Sequence, residues 1–285
     1  MTERSVEGRV VVVTGAGPGS LGLATARALH DRGAEVVVTT RSELPDGFAG
    51  HPLDLADRDS VERFAGWLES RYAGVDVLVN NAGIHLDLRS RWSEPRLVDG
   101  HEVHWRTNYL GTAHLTRRLL PALLRTADEV GEARVVNVVS KLHTRGRNAW
   151  LDGHVTPYDS WDAYGTSKLA LVHEAAEIER RYGGRGLHGY SLHPGAVYTK
   201  VADRGLETAP VLARLRKLLA PIERRALATP EQGARTAVFC ATSADAVPGG
   251  YHRRSAPAEP SSEVADEAAA VELWERTTAW VERPG

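Results

Sequence analysis

At 285 residues, with 42% hydrophobic and 25% charged side chains and a net charge of −2, the chain has a globular composition and gives no argument for a nucleic-acid or anionic-membrane partner. A single cysteine, Cys240, excludes an intrachain disulfide and fits a reducing compartment; within Ala237-Val238-Phe239-Cys240-Ala241 it reads as a small core residue. Met1-Thr2-Glu3-Arg4-Ser5 lacks the apolar stretch of a signal peptide, and no run approaches a membrane span, so a cytoplasmic, soluble protein is expected.

Val10-Val11-Val12-Val13 is apolar on both faces, as suits a buried parallel strand. Thr14-Gly15-Ala16-Gly17-Pro18-Gly19-Ser20-Leu21-Gly22 and a helical stretch over 23–31 come next. In a strand–turn–helix context, Gly17-x-Gly19-x-x-Gly22 reads as a dinucleotide-binding turn. Glycines let the backbone approach a pyrophosphate, and a helix N-terminus offers free N–H groups and a favourable dipole. A second strand is predicted at Glu35-Val36-Val37-Val38-Thr39-Thr40. Folds that bind NAD place an acid near this strand's end, whereas here Thr40 and then Arg41 follow. A guanidinium suits a 2′-phosphate, so NADP(H) is expected over NAD(H).

His51-Pro52-Leu53-Asp54-Leu55 reads as a third strand, leading to a helix over 60–71 capped by Asp57 or Asp59. Val75-Asp76-Val77-Leu78-Val79 then runs into Asn80-Asn81-Ala82-Gly83. Strands alternating with helices predict an α/β fold: a single-domain, doubly wound parallel sheet of the Rossmann type, with helices on both faces, spanning 1–285. A helix over 107–125 carries Asn108 on its first turn, and Arg134-Val135-Val136-Asn137-Val138-Val139-Ser140 reads as a strand ending at Ser140. A polar loop with turn signals fills 141–160.

In Tyr164-Gly165-Thr166-Ser167-Lys168 the phenol and the amine lie four apart on a helix running to about residue 181 and share one face. About 0.1 such pairs are expected by chance in this composition. A free tyrosine titrates near pH ~10, and a neighbouring cation lowers that value, which suits the phenol to acid–base work. Tyr158 is a poorer candidate, because Asp162 stands where the lysine would be. After a strand at Gly189-Tyr190-Ser191-Leu192 comes His193-Pro194-Gly195-Ala196-Val197-Tyr198-Thr199, with His193 read as structural. Residues 200–228 place Val211, Leu212, Leu215, Leu218, Leu219 and Ile222 on one helical face, a packing helix or a substrate lid whose face favours a hydrophobic substrate. Residues 248–262 are rich in Pro, Gly and Ser and precede a final helix over 263–281. No His/Cys/carboxylate cluster has metal-ligand spacing, so no metal is expected.

Taken together, Thr14-Gly15…Gly22, Asp54, Asn80-Asn81-Ala82-Gly83, Asn108, Ser140, Tyr164-x-x-x-Lys168 and Pro194-Gly195 resemble the short-chain dehydrogenase/reductase family in order and approximate spacing. The long 141–160 segment, Thr229-Pro230-Glu231-Gln232-Gly233-Ala234 and the Trp274-bearing helix resemble its retinol dehydrogenase and protochlorophyllide reductase branch. The resemblance implies a catalytic set of Asn108, Ser140, Tyr164 and Lys168. It implies cofactor contacts from Gly15, Gly17, Ser20, Leu21 and Gly22, from Arg41, Asp54 and Leu55, and from Asn81, Ala82 and Gly83. Tyr164, Lys168, Pro194, Gly195, Val197 and Thr199 complete that set. The glycine loop is one residue longer than the family's pattern, with Ser20-Leu21-Gly22 where Gly-x-Gly is expected. That leaves open which of Gly17, Gly19 and Ser20 meets phosphate.

The function implied is NADPH-dependent reduction of a ketone or aldehyde, or the reverse alcohol oxidation, in a homodimer or homotetramer. A sugar-nucleotide epimerase or dehydratase would use the same Tyr-Lys pair but needs a C-terminal substrate domain, for which little chain remains after Gly195. A non-catalytic NADP-binding regulator would be expected to lose the tyrosine.

Overall fold

A computed structural model of the chain describes residues 4–41, 43–86, 92–196 and 228–283. Strand β1 (Val10–Val13) leads into helix α1 (Leu21–His30), then β2 (Glu35–Thr40), β3 (Ala49–Pro52), α2 (Arg58–Glu69) and β4 (Val77–Asn80). A short antiparallel pair, β5 (Leu97–Val98) and β6 (His101–Glu102), precedes α3 (Gly111–Val130), β7 (Ala133–Val138) and α4 (Ser160–Tyr182). Then come β8 (Leu187–His193), α5 (Pro230–Thr242), β9 (Tyr251–Arg253), β10 (Ala256–Ala258) and α6 (Glu267–Val281).

The main sheet has eight strands in the order β10-β9-β8-β7-β4-β1-β2-β3, parallel except for β10. Alternation along β1 sends Val11 and Val13 into one apolar layer with residues of α1 and α5, and Val12 into the opposite layer with residues of α2 and α3. Both faces are thus covered, which is why these strands read as unbroken apolar runs. The chain winds from β1 outward to β2 and β3, then returns past β1 to β4. That switch of direction opens a crevice at the carboxyl ends of β1 and β4, where such sheets take ligands. Cys240 is buried on α5 within the first layer.

Four local expectations need correction. Strand β3 ends at Pro52, which pairs with Thr40, so Leu53, Asp54 and Leu55 lie beyond it; Leu53 and Leu55 turn into the α2–α3 layer instead. Asn108 is not on the first turn of α3. It lies in a π-helical turn, Trp105–Leu110, that precedes it. Segment 141–160 is not a plain loop, since it holds 3-10 turns at Lys141–Arg145 and Asn148–Trp150. The Pro/Gly/Ser-rich stretch after residue 248 contains the β9–β10 hairpin, and the last helix begins only at Glu267, after a 3-10 turn at Ser262–Ala265. The suggested lid at 200–228 lies, apart from Ala228, outside the described residues.

Candidate active site

The crevice is framed by main chain held at close quarters. Thr14, just past β1, accepts at its Oγ1 the N–H groups of Asn81 at 3.0 Å and Ala82 at 2.9 Å. Asn81 Nδ2 donates in return to the carbonyls of Thr14 at 2.7 Å and Gly15 at 3.3 Å. Gly15 has φ +72°, and a Cβ there would stand 2.8 Å from Ala82 Cα, so no larger residue fits without moving the backbone. The loop then turns through Gly17, whose carbonyl accepts Ser20 N–H at 3.1 Å. Ser20 caps α1 by accepting Leu23 N–H at 3.0 Å, so its hydroxyl serves the helix. Leu21 and Gly22 open α1, and no acidic side chain occupies that first turn, which leaves the helix N-terminus suited to an anion.

Arg41 follows β2, is exposed, and pairs with no carboxylate among the described residues. Asp54 is half-buried and accepts Ala56 N–H at 2.9 Å, while Leu55 is buried and its carbonyl accepts Arg106 Nη1 at 3.0 Å. The acid-free helix start, the close backbone approach at Gly15 and the Arg41 guanidinium together fit a dinucleotide cofactor. Such a cofactor would be held by the loop from Gly15 to Gly22, by Arg41, and by the backbone at 81–83.

The four expected catalytic residues come from three places: Asn108 from the π-helical turn, Ser140 from the chain just past β7, and Tyr164 and Lys168 from α4. Asn108 is fully buried, its Oδ1 accepting Ile84 N–H at 2.8 Å and its Nδ2 donating to Ile84 O at 3.0 Å and Ser167 Oγ at 3.2 Å. It therefore clamps the chain after β4 against α4. Lys168 Nζ donates to Val138 O, the end of β7, at 3.1 Å. Seen from Gly83, a Cβ would meet Lys168 Nζ at 3.1 Å and Asn108 Oδ1 at 3.3 Å, so the missing side chain is what lets amine and amide share that corner. Ser140 sits two residues past β7 rather than at its end, where its Oγ accepts Leu142 N–H at 3.2 Å. The same hydroxyl lies beside the phenol of Tyr164 and favours its ionised form.

The electrostatics differ from the sequence expectation. Burial pushes the Tyr164 phenol up to about 12, with the neighbouring Ser140 hydroxyl opposing it. Burial also pushes the Lys168 amine down to about 8. The ammonium was expected to lower the phenol, but Nζ is engaged with Val138 O and lies 5.9 Å from the ring centre, and desolvation wins. At neutral pH the phenol is thus protonated and can give a proton, while the amine is still mostly charged.

One group of neighbours escaped the sequence reading. His85 lies flat on the Tyr164 ring at 4.0 Å between centres and 6° between planes, and His104 meets the same ring edge-on at 5.8 Å. Trp161 abuts His85 at 5.4 Å. Behind them, buried Glu102 accepts the main-chain N–H groups of His104 at 2.8 Å and Trp105 at 2.9 Å, and the Tyr158 hydroxyl at 3.1 Å. Leu86 N–H donates to His104 Nε2, so the ring proton sits on Nδ1 and points at Glu102, 2.9 Å away. His85 is pushed down to about 3, chiefly by burial and then by its neighbours His104 and Lys168. The only local signal was the position of His85, two residues after Gly83. Pro194 and Gly195 follow β8 at the same edge of the sheet, whereas Val197 and Thr199 lie outside the described residues.

A doubly wound sheet with a glycine turn at its switch point and a Ser-Tyr-Lys-Asn group beside it defines a nicotinamide-dependent oxidoreductase class. The short chain dehydrogenase family profile matches residues 9–209, and the chain belongs to that family. It is 32% identical to mouse (Mus musculus) retinol dehydrogenase 12, with 96% of this chain and 86% of that protein aligned. It is 35% identical to mouse (Mus musculus) polyprenol dehydrogenase over 94% of this chain and 82% of that protein. The Pseudomonas aeruginosa RhlG/NADP active-site complex superposes with a TM-score of 0.62 at 25% identity, covering 87% of this chain and 95% of that one. These likenesses put the chain in the retinol dehydrogenase-like branch of the family, among oxidoreductases.

Proposed function

We propose that the protein is an NADPH-dependent carbonyl reductase, running in reverse as an alcohol dehydrogenase. The observation that carries this reading is the placement of the Ser140 hydroxyl beside the Tyr164 phenol, itself one helical turn from Lys168. When bound, the cofactor supplies the hydride. Tyr164, protonated at neutral pH, gives its proton to the oxygen on which charge develops. Ser140 donates a hydrogen bond to that same oxygen, and such donors lower the barrier because they are already in place. Lys168, fixed by Val138 O, supports the phenol and offers an ammonium to ribose hydroxyls. Asn108 holds the backbone at Ile84 and keeps the amine's corner open for a water that passes protons onward.

Arg41 supports NADP(H) over NAD(H), since a guanidinium with no carboxylate to hold it is available to a 2′-phosphate. The relatives named for retinol and polyprenol support an alcohol or carbonyl substrate with a largely apolar body. The decisive experiment follows NADPH and NADH absorbance across a panel of ketones and aldehydes. Oxidation of NADPH, faster than NADH, by at least one carbonyl compound is expected. Silence across a broad panel with both cofactors would remove the reading.

A further inference from the structure

One residue past Ser140 the crevice changes character. A cavity of about 530 Å³ opens where Lys141, the loop from His193 to Ala196, helix α5 and the β9–β10 turn converge. Among the described residues its lining includes Lys141, Arg235, Arg253 and Arg254 and no acidic residue. None of these four cations pairs with a carboxylate among the described residues. The nearby acid on α5, Glu231, is occupied by its own backbone N–H and by Thr229. Four like charges around one cavity, in a chain whose net charge is −2, repel one another unless an anion joins them.

The way the arginines are presented points the same way. Arg253 ends β9, and the two-residue turn to β10 is Arg254-Ser255, with φ of +55° and +56°. Glycine or asparagine is the usual choice for such a turn, and a non-glycine pair there is uncommon. The turn is tied down by Ser255 N–H donating to Thr236 Oγ1 on α5 at 3.2 Å, so Arg253, Arg254 and Arg235 are held around a common space. His193 lines the same space and is pushed down to about 4, first by burial and then by the charges of Arg253, His143 and Lys141. It is therefore a neutral hydrogen-bonding group there at physiological pH.

We propose that this cavity binds an anionic group, a carboxylate or phosphate, carried by the substrate, while the substrate's carbonyl lies at Ser140 and Tyr164. The inference rests on the reductase reading for the carbonyl end and narrows the substrate to acids or phosphorylated carbonyl compounds. Guanidinium groups bind both kinds of oxyanion through paired hydrogen bonds.

The test is calorimetric titration of the whole chain, saturated with NADP+, using methyl-ketone carboxylates of increasing length and their methyl esters. At least one acid should bind about tenfold more tightly than its ester, the scale of one charged hydrogen bond. That preference should vanish in Arg235→Gln/Arg253→Gln, whose exposed side chains can change without disturbing the core. Inorganic phosphate should weaken the acid's binding and leave the ester's unchanged. Equal binding of acid and ester at every length, binding of neither, or a preference that survives in the double variant overturns the proposal. So does a preference seen only without NADP+, which would assign the cavity to a cofactor phosphate. Turnover separates the two readings. Tight acid binding with no NADPH oxidation keeps the anion site and removes the reductase, while equal kcat/KM for acid and ester keeps the reductase and removes the anion site.

Discussion

The two sides of the crevice are built from different materials. On the β1–β4 side the main chain sets the shape: Gly15 against Ala82, Asn81 bound to the Thr14 and Gly15 carbonyls, and the N-terminus of α1. On the β7–β8 side the side chains set the chemistry, with half-buried Ser140 and Tyr164 and buried Lys168 beside a rim of cations. A backbone surface can recognise a shared cofactor with little tolerance for substitution. A side-chain surface can change its substrate while the sheet beneath it stays the same.

The sharpest way to break this division is Tyr164→Phe. Loss of the proton donor should reduce kcat by about 10²- to 10⁴-fold while NADPH binding, measured by fluorescence titration, persists. If turnover were unchanged, the phenol would not be the acid. Arg41→Ala probes the other side. It should weaken NADPH binding by roughly 10- to 100-fold, the cost of losing a charged hydrogen bond, and leave NADH nearly unaffected. A matching loss for both cofactors would mean that the guanidinium does not read the phosphate.

The pH response should differ by direction. Reduction consumes the protonated phenol, which with a value of about 12 is present throughout the neutral range, so its rate should be nearly flat there. Alcohol oxidation needs the ionised phenol and should rise with pH, by up to about tenfold per unit well below that value. An oxidation rate that fell as pH rose from neutral would contradict this sign. The smallest effect is expected at His85. His85→Phe should preserve the flat stack on Tyr164, while His85→Ala should lower kcat a few-fold, in line with the roughly 0.5–1.5 kcal/mol of a ring pair. Equal activity of the two variants would separate the stack from catalysis.

The same division explains what could be read from the sequence. β1 and the glycine turn were legible because a buried parallel strand and a tight backbone approach each demand particular residue types in consecutive positions. β2 was legible to its boundaries. The β9–β10 hairpin was not, because its strands are three residues long and Arg254-Ser255 carries no turn signature. The π-helical setting of Asn108 depends on contacts with Ile84 and Ser167, which local periodicity does not encode. Tyr164 and Lys168 were legible as neighbours. The direction of the phenol's shift was not, because burial is a property of everything packed around it.

The lone sulfur on α5 carries a practical consequence. Cys240 is wholly enclosed, and burial raises its thiol well above the ordinary range, so the thiolate that alkylating reagents need is scarce in the native state. Any labelling that does occur must await an opening of the layer beneath the sheet. With no second thiol to confuse the count, the alkylation rate of the untouched protein becomes a direct clock for that opening.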